Sequence, residues 1–291
     1  MTATLHAFPD DAAPAGRLAA ALGIRLVTLA SHRFPDGEHR VTAAESTPTA
    51  LVYRSLADPD AKLVELLLAA DALRRRGATR LVLVAPYLPY MRQDTEFAPG
   101  EAVSQPVISR LLAGAFDAVL TVDPHLHRTP DLAAVLPGAI TISAADTIAQ
   151  ALHGTLPADT VLVGPDAESR PWVAAVAAPL GLDFIVATKQ RHGDRSVTIT
   201  LPPIGPRPAF LVDDLLSSGG TLIACAAQLR DGGATLAGAA VTHCLASADD
   251  LANLAAAGIT PLIACDSILG PAATISLAPA LAAAIRQHGL A

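Results

Sequence analysis

The chain contains few of the residues that build metal clusters, disulfide frameworks or nucleic-acid surfaces. Among its 291 residues only three are cysteines, and aromatic residues make up 3%. Cys225, Cys244 and Cys265 are scattered in apolar surroundings with neither metal-ligand nor disulfide spacing, so we expect reduced core residues of a cytoplasmic protein. The formal net charge of −7, together with so few aromatic residues, argues against a nucleic-acid partner.

The sequence also lacks a long uninterrupted apolar segment, although 52% of its residues are hydrophobic. The longest uncharged run, 267–285, is broken by Gly270, Pro271 and Pro279, so it is not typical of a transmembrane helix. The first sixteen residues include two aspartates and have no basic segment before an apolar run, so we expect no signal peptide. Neither a membrane partner nor a secreted location is therefore expected.

What the sequence does have is a regular alternation of short apolar runs and longer helical ones. Such alternation is typical of an α/β fold with mostly parallel sheets, whose strands are covered on both faces. Asp58 is predicted to cap the helix that begins at Pro59. The predicted strands are 51–53, 81–86, 118–123, 161–164, 184–187, 197–201, 210–212, 240–243 and 262–265. The predicted helices are 59–76, 103–115, 145–153, 169–180, 221–231 and 278–287.

The segment 209–221 holds the most specific chemical signal in the sequence. A hydrophobic strand is followed by Asp213 and Asp214, whose carboxylates can accept hydrogen bonds from the vicinal hydroxyls of a ribose. A small-residue turn and a helix start come next, where backbone N–H groups can cradle a 5′-phosphate. The alternative is an ordinary strand–turn–helix corner of a parallel sheet. The residues of the predicted phosphate cradle are Ser217, Ser218, Gly219, Gly220 and Thr221.

This segment resembles the phosphoribosyl-pyrophosphate (PRPP) binding motif that phosphoribosyltransferases share with PRPP synthetases. Further motifs occur in the order and approximate spacing of the second group, and the resemblance extends from about residue 20 to residue 286. The chain is therefore similar to the ribose-phosphate pyrophosphokinase (PRPP synthetase) family. The motifs are Phe34-Pro-Asp-Gly-Glu38, Tyr90-Met-Arg-Gln-Asp94, Val122-Asp-Pro-His125, Gly164-Pro-Asp166 and Lys189-Gln-Arg191.

The resemblance implies two pseudo-symmetric α/β domains, each with a phosphoribosyltransferase-like fold and a mostly parallel sheet. Residues 1–143 would form the domain on the ATP side. Residues 144–291 would form the domain with the PRPP loop and the catalytic flexible loop. The final helix is expected to pack back on the first domain.

The resemblance also implies a reaction, a cofactor and an assembly. The family moves the β,γ-diphosphoryl group of ATP onto the C1 hydroxyl of ribose 5-phosphate, which gives PRPP and AMP for nucleotide biosynthesis. Its catalysis neutralises polyphosphate charge and aligns the two substrates, so Mg²⁺ is the expected cofactor. The expected assembly is a homo-oligomer built from dimers, whether dimer, tetramer or hexamer.

Residue roles follow from the motifs by the same resemblance. Lys189 and Arg191 are the expected catalytic residues, because a mobile lysine supplies a point charge and an arginine can grip phosphate in bidentate fashion. His125 and Asp166 are the expected metal-binding residues. The expected ATP-binding residues are Phe34, Asp36 and Glu38, reaching from a neighbouring subunit, together with Arg92, Gln93 and His125. The expected ribose 5-phosphate ligands are Arg191, Asp213, Asp214, Ser217, Ser218, Gly219, Gly220 and Thr221.

Some positions depart from the pattern of many bacterial members. Ser217 stands in place of a third aspartate, proline follows Asp123, and the loop that begins at Lys189 is shorter. These variants resemble archaeal-type members. Glu168 and Ser169 lie where a glycine-rich loop is expected, which leaves open whether ribose 5-phosphate is the only sugar phosphate accepted. Two alternative functions stay open, namely a phosphoribosyltransferase and a non-catalytic regulatory paralogue.

Overall fold

The computed structural model describes residues 3–126, 128–192 and 196–291, and for 189–192 and 196–198 it describes the backbone only. The chain forms two compact units. One comprises the residues up to Ser143 together with Leu277–Ala291, and the other comprises Ala144–Ser276. Among the described residues, every helix is too short or too polar to cross a lipid bilayer.

The first unit is built on a six-stranded sheet in which all neighbouring strands run parallel, in the order β2-β1-β5-β6-β7-β8. An antiparallel hairpin, β3–β4, is inserted between the second and third strands of this sheet along the chain. The elements are β1 (Ala3–Ala7), α1 (Ala12–Leu22), β2 (Arg25–Thr28), β3 (Ala30–Arg33), β4 (His39–Thr42), β5 (Thr49–Tyr53), α2 (Pro59–Arg75), β6 (Arg80–Ala85), α3 (Ser104–Ala115), β7 (Ala118–Val122) and β8 (Ala139–Ile142).

The second unit repeats this plan. Its parallel sheet has the order β10-β9-β13-β14-β15-β16, and a hairpin, β11–β12, again follows the second strand. The elements are α4 (Ala145–Leu152), β9 (Val161–Gly164), α5 (Arg170–Leu180), β10 (Asp183–Val186), β11 (Thr188–His192), β12 (Ser196–Thr200), β13 (Pro208–Leu216), α6 (Gly220–Asp231), β14 (Thr235–Cys244), α7 (Ala248–Ala256), β15 (Leu262–Cys265) and β16 (Ala273–Ile275).

Each unit is completed by a helix that follows the other unit's last strand along the chain. Helix α4 comes directly after β8 but packs against α5 and β16 of the second unit. Helix α8 (Ala278–Gln287) comes directly after β16 but packs against α1 and β8 of the first unit. The two helices therefore have equivalent positions in the two units.

The sequence pattern predicted most of these elements closely. Two strands, Val161–Gly164 and Leu262–Cys265, have the predicted bounds, and the six predicted helices agree to within one residue at each end. These strands form where apolar residues run continuously, because both faces of a parallel sheet are covered by helices. In the described part of the chain the three cysteines form no disulfide bond, and Cys225 and Cys265 are buried whereas Cys244 is half-buried.

Three local predictions were wrong. The strand predicted for 240–243 is longer and spans Thr235–Cys244. Asp58 does not cap α2 through its side chain, because its backbone is left-handed (φ 52°) rather than extended as a capping residue requires. The strand predicted to end at Val212 continues to Leu216, because its backbone goes on pairing with β14 through Asp213 opposite Val241.

A buried ion cluster holds the end of β5 in the first unit. The Arg54 side chain is only 3% exposed, and its Nη1 donates to Asp11 Oδ2 at 2.9 Å. The same guanidinium pairs with Asp10 and with Glu65 of α2, and it lies 4.4 Å from the centre of the Phe8 ring. The cluster therefore joins the end of β5, the segment after β1 and helix α2.

Replacing Arg54 by methionine should destabilise the protein strongly. The change leaves buried carboxylates without their cation, and breaking a buried pair in this way typically costs about 3–5 kcal/mol. The midpoint of urea unfolding measures the loss. Arg75→Met is the control, because Arg75 pairs with Asp71 on the surface of α2 and is 78% exposed. Its loss of stability should be much smaller, because an exposed ion pair contributes little. Equal losses for the two variants would contradict the structural role of the cluster.

Candidate active site

Three carboxylates gather at one edge of the sheet of the second unit. Strands β9 and β13 are neighbours and run parallel, with Val163 opposite Leu211. Their continuations beyond this pair therefore leave the same edge of the sheet. Asp166 lies in the loop that follows β9, whereas Asp213 and Asp214 lie within the last part of β13. The structure thus brings together the acidic residues of two predicted motifs.

The electrostatics of Asp213 reflect its burial and its two acidic neighbours. Burial is the largest cause that raises its pKa well above the ordinary value, and the charges of Asp214 and Asp166 raise it further. The Asp214 backbone N–H donates to Asp213 Oδ1 at 3.0 Å, which opposes the rise only in part. A cation or the hydroxyl groups of a ligand would relieve the crowding of negative charge.

The loop after β9 is a closed turn rather than an open glycine-rich one. Asp166 Oδ1 accepts a hydrogen bond from the Ser169 backbone N–H at 3.0 Å, and the Ser169 hydroxyl donates to the Asp166 carbonyl oxygen at 2.7 Å. The turn packs tightly on Gly164, where an added Cβ would lie 2.2 Å from Ser169 Oγ. Ser169 therefore shapes the turn from a buried position, while Glu168 is exposed beside it.

The predicted phosphate cradle forms a tight turn between β13 and α6. Gly219 precedes the helix with φ 80°, a conformation that side chains rarely adopt, and an added Cβ would lie 2.9 Å from Leu254. In the part of the chain that the structure describes, the backbone N–H groups of Ser217, Ser218 and Gly219 donate to no protein acceptor. Together with the first turn of α6 they offer donors to an anion.

The segment with Lys189 and Arg191 is a strand of the β11–β12 hairpin. In the backbone register Lys189 is opposite Ile199, and Arg191 is opposite Val197. Both side chains lie outside the described part of the chain. What the structure describes here is a two-stranded ribbon between β10 and β13.

In the first unit, two predicted ATP-binding segments leave the same sheet edge. Arg92 and Gln93 lie in the long loop after β6, and His125 follows the neighbouring strand β7. An ion pair joins the two loops, because the Arg128 backbone N–H and Nη1 donate to Asp94 at 2.7 and 3.0 Å. Burial raises the pKa of Asp94, but these bonds outweigh it and hold the pKa below its ordinary value. The Asp94 side chain is 3% exposed.

The remaining ATP-binding motif forms the exposed turn of the β3–β4 hairpin. The Phe34 N–H donates to the Glu38 carbonyl at 2.8 Å, and Gly37 takes φ 96° inside this turn. The ring of Phe34 contacts the edge of His32 but remains 37% exposed. Asp36 and Glu38 are also exposed, and Asp36 Oδ1 accepts from the Glu38 N–H. An aromatic face and two carboxylates therefore project from one surface turn.

No hydrogen bond or ion pair among the described residues joins this turn to Arg92 or Gln93. Likewise, among the described residues no three histidine, cysteine, aspartate or glutamate side chains lie close enough to hold a metal ion by themselves.

The ion pair between Asp94 and Arg128 was not predicted from the sequence. The sequence signal that could have indicated a role for Asp94 is its position directly after Arg92 and Gln93.

The raised pKa of Asp213 predicts how the stability of the folded protein depends on pH. The folded state holds the Asp213 proton more tightly than the unfolded chain does, so this carboxyl lowers the free energy of unfolding as the pH rises above the unfolded pKa, about 3.9. Asp213→Asn keeps the acceptor for the Asp214 N–H but removes the charge. Without ligands the variant should melt at a higher temperature than the wild type at neutral pH, and the difference should shrink in acid.

Asp250→Ala is a control of opposite sign. Hydrogen bonds from Ser247 at the start of α7 lower the pKa of Asp250, so its carboxylate stabilises the fold above the unfolded pKa and loses that effect as the pH falls. This variant should melt at a lower temperature at neutral pH. Asp213→Asn fails the prediction if it shows the same sign as Asp250→Ala.

The two units match known domain families. Residues 9–115 match the N-terminal domain of ribose phosphate pyrophosphokinase, and residues 133–253 match the phosphoribosyl transferase domain. In solved structures, the chain is similar to phosphoribosylpyrophosphate synthetase from Mycobacterium smegmatis, with a TM-score of 0.85 and 26% identity over 99% of both chains.

Curated relatives point to the same family along nearly the whole chain. The chain is 35% identical to the ribose-phosphate pyrophosphokinase of Methanopyrus kandleri, over 93% of this chain and 94% of that one. It is 33% identical to the enzyme of the same name from Granulibacter bethesdensis, over 93% of this chain and 91% of that one. This extent of similarity, in both units and in the fold, shows that the chain belongs to the ribose-phosphate pyrophosphokinase family.

Proposed function

We propose that the protein transfers the diphosphoryl group of ATP to the C1 hydroxyl of ribose 5-phosphate and releases PRPP and AMP. The observation that carries the proposal is the site in the second unit of a chain that belongs to this family. There, Asp213 and Asp214 at the end of β13 lead directly into a turn in which three backbone N–H groups, those of 217–219, have no acceptor among the residues that the structure describes. Such a pairing suits a sugar that carries vicinal hydroxyls and a phosphate.

The sugar phosphate would bind along the end of β13 and the turn after it. The carboxylates of Asp213 and Asp214 accept hydrogen bonds from the ribose hydroxyls. The 5′-phosphate lies on the backbone N–H groups at the start of α6, where the helix dipole also favours an anion. The cradle residues would be Ser217, Ser218, Gly219, Gly220 and Thr221. The closed turn at Asp166 supports a binding site with little freedom to rearrange.

ATP would bind to the residues of the first unit. Arg92 and His125 lie in loops at one sheet edge, where their side chains could neutralise the polyphosphate, and Gln93 adds an amide beside them. The exposed turn with Phe34, Asp36 and Glu38 suits the nucleoside, because an aromatic face can stack on adenine and carboxylates can accept from its ribose or amino group. We propose that this turn serves the site of a neighbouring subunit in a homo-oligomer built from dimers.

Mg²⁺ is the metal ion that we propose for the reaction. Mg²⁺ prefers carboxylate and phosphate oxygens and usually keeps only one or two protein ligands. The residues suit this ion, because Asp166 after β9 and the two carboxylates of the neighbouring strand β13 lie at one sheet edge, where a cation would offset their charge. Asp166 and His125 are the proposed contacts. When bound with ATP, the ion would neutralise charge on the phosphates during transfer.

Lys189 and Arg191 would act on the transferring group. Both belong to the β11–β12 ribbon, which follows β10 at the edge of the sheet. The transfer needs no covalent nucleophile, since the C1 hydroxyl attacks the β-phosphorus and the chain supplies charge and alignment. Lys189 is the principal catalytic residue in this proposal, with Arg191 as a phosphate ligand.

One assay separates this function from the two alternatives. The protein is incubated with ATP, Mg²⁺ and ribose 5-phosphate without any purine or pyrimidine base, and AMP is measured. A phosphoribosyltransferase or a non-catalytic regulatory paralogue would release no AMP. Running the assay with several pentose phosphates also tests whether the Glu168-Ser169 turn changes the sugar preference.

Lys189→Ala should lower turnover with little effect on folding or substrate binding. Loss of one well-placed charged donor typically lowers the rate about 10²–10³-fold. The chain has only one other lysine, Lys62, which donates to the Ser55 carbonyl at 2.9 Å in the first unit. Lys62→Ala is therefore a matched control with the same charge change. A kcat of Lys189→Ala within twofold of wild type would remove Lys189 from its proposed role.

Mixed oligomers test the shared ATP site. An Asp36→Ala/Glu38→Ala double variant and an Arg92→Ala variant should each be nearly inactive alone but regain activity when their subunits exchange. Random exchange between dimers gives about half mixed dimers, each with one intact site, hence roughly a quarter of the wild-type sites. Subunit exchange is followed separately with two affinity tags. Exchange without recovery of activity would contradict a site built from two chains.

A further inference from the structure

Gln105 is a buried polar residue that no motif accounts for. It lies in the first turn of α3 and is 2% exposed. Burying an amide is unfavourable unless its donors and acceptor find partners, so the hydrogen bonds of such a residue show what it holds in place. Here those bonds lead to the loop that carries Arg92.

Two of these bonds lie on either side of Arg92. The Gln105 side-chain Nε2 donates to the Met91 carbonyl oxygen at 3.2 Å, and the Gln105 backbone N–H donates to the Gln93 carbonyl oxygen at 3.1 Å. The residues before and after Arg92 are thus both attached to one buried residue. This arrangement fixes the backbone from which the Arg92 side chain projects.

The third bond reaches the loop that follows His125. The Thr129 hydroxyl donates to Gln105 Oε1 at 2.9 Å, so the amide oxygen is also used. A second connection between the same two loops is the Asp94–Arg128 ion pair. Gln105 therefore links the Arg92 loop, the start of α3 and the loop after β7.

The side chain of Arg92 has no comparable support of its own. It is exposed, and among the described residues it makes no ion pair or hydrogen bond. Its one resolved effect is electrostatic, since its charge partly opposes the rise that burial causes in the pKa of Tyr87. The direction of the Arg92 side chain therefore depends on its backbone, which Gln105 holds on both sides.

We infer that Gln105 is a positioning residue that holds Arg92, and with it the loop after His125, ready for the phosphates of ATP. The inference rests on the proposed function, because it takes ATP as the ligand of Arg92. Pre-placing the arginine avoids ordering the loop when the nucleotide binds, and small misplacements of such groups are costly. The amide, and not merely a side chain of similar length, is what the role requires.

A double-mutant cycle tests the inference. Gln105→Met keeps the side-chain length but removes both bonds of the amide. We expect it to weaken binding of a non-hydrolysable ATP analogue about tenfold, by calorimetry, with the KM for ribose 5-phosphate within twofold of wild type. In the Arg92→Ala background the same change should weaken analogue binding no further, because Gln105 acts through Arg92. Gln287→Met, an exposed glutamine on α8, is the control and should change neither quantity.

Two further variants keep the test decisive if Gln105→Met folds poorly. Gln105→Glu retains an acceptor for Thr129 but loses the donor to Met91, so it should weaken analogue binding like methionine. Thr129→Val removes only the third bond and should give a smaller effect in the same direction. Equal weakening of nucleotide and sugar phosphate, or a full additional loss in the Arg92→Ala background, would overturn the inference. Normal analogue binding by the wild type without AMP formation would instead count against the proposed function alone.

Discussion

Parallel strand pairing is the constraint on which the candidate site depends. Neighbouring parallel strands end at the same edge of a sheet, so the segments that follow them are collected there. In the second unit this collects Asp166 after β9 with the carboxylates of β13, and in the first unit it collects Arg92 after β6 with His125 after β7. Residues more than thirty positions apart in sequence are therefore carried to the same sheet edge without any long-range motif.

The two units have the same strand order, but the charged residues at the corresponding sheet edge differ. In the first unit, Arg54 follows the third strand of the sheet along the chain and pairs with three carboxylates, so a buried cation offsets part of their negative charge. In the second unit, the equivalent strand β13 carries Asp213 and Asp214, whose charges add to that of Asp166. One edge thus contributes stability, whereas the other keeps an unfavourable concentration of charge, as binding sites often do.

The two hairpins also have equivalent positions in the two units. Each unit inserts a two-stranded ribbon between the second and third strands of its sheet along the chain. The ribbon of the first unit carries Phe34, Asp36 and Glu38, and that of the second carries Lys189 and Arg191. The residues proposed to bind the nucleoside and those proposed to act on the transferring group therefore occupy equivalent places in a repeated fold.

The sequence predicted most elements that have continuous apolar runs and missed several that do not. Strand β1 was missed because Thr4 and His6 interrupt the pattern, although both are buried and hydrogen-bonded to each other at 2.9 Å. The full length of β13 was missed because two aspartates look like the end of a strand. The motifs gave the candidate site residues, whereas Gln105 gives no signal in sequence, since its role depends on how the loop before α3 folds back so that the Met91 carbonyl meets its side chain.

The exchange of terminal helices has a consequence for how the protein is made. Helix α1 packs against α8, which the ribosome produces after the whole second unit. The second unit has all its elements once β16 has emerged. Domains usually complete their folding in the order of their synthesis. Here the first unit is translated first, but its helix α1 lacks its partner α8 until the second unit has been translated completely.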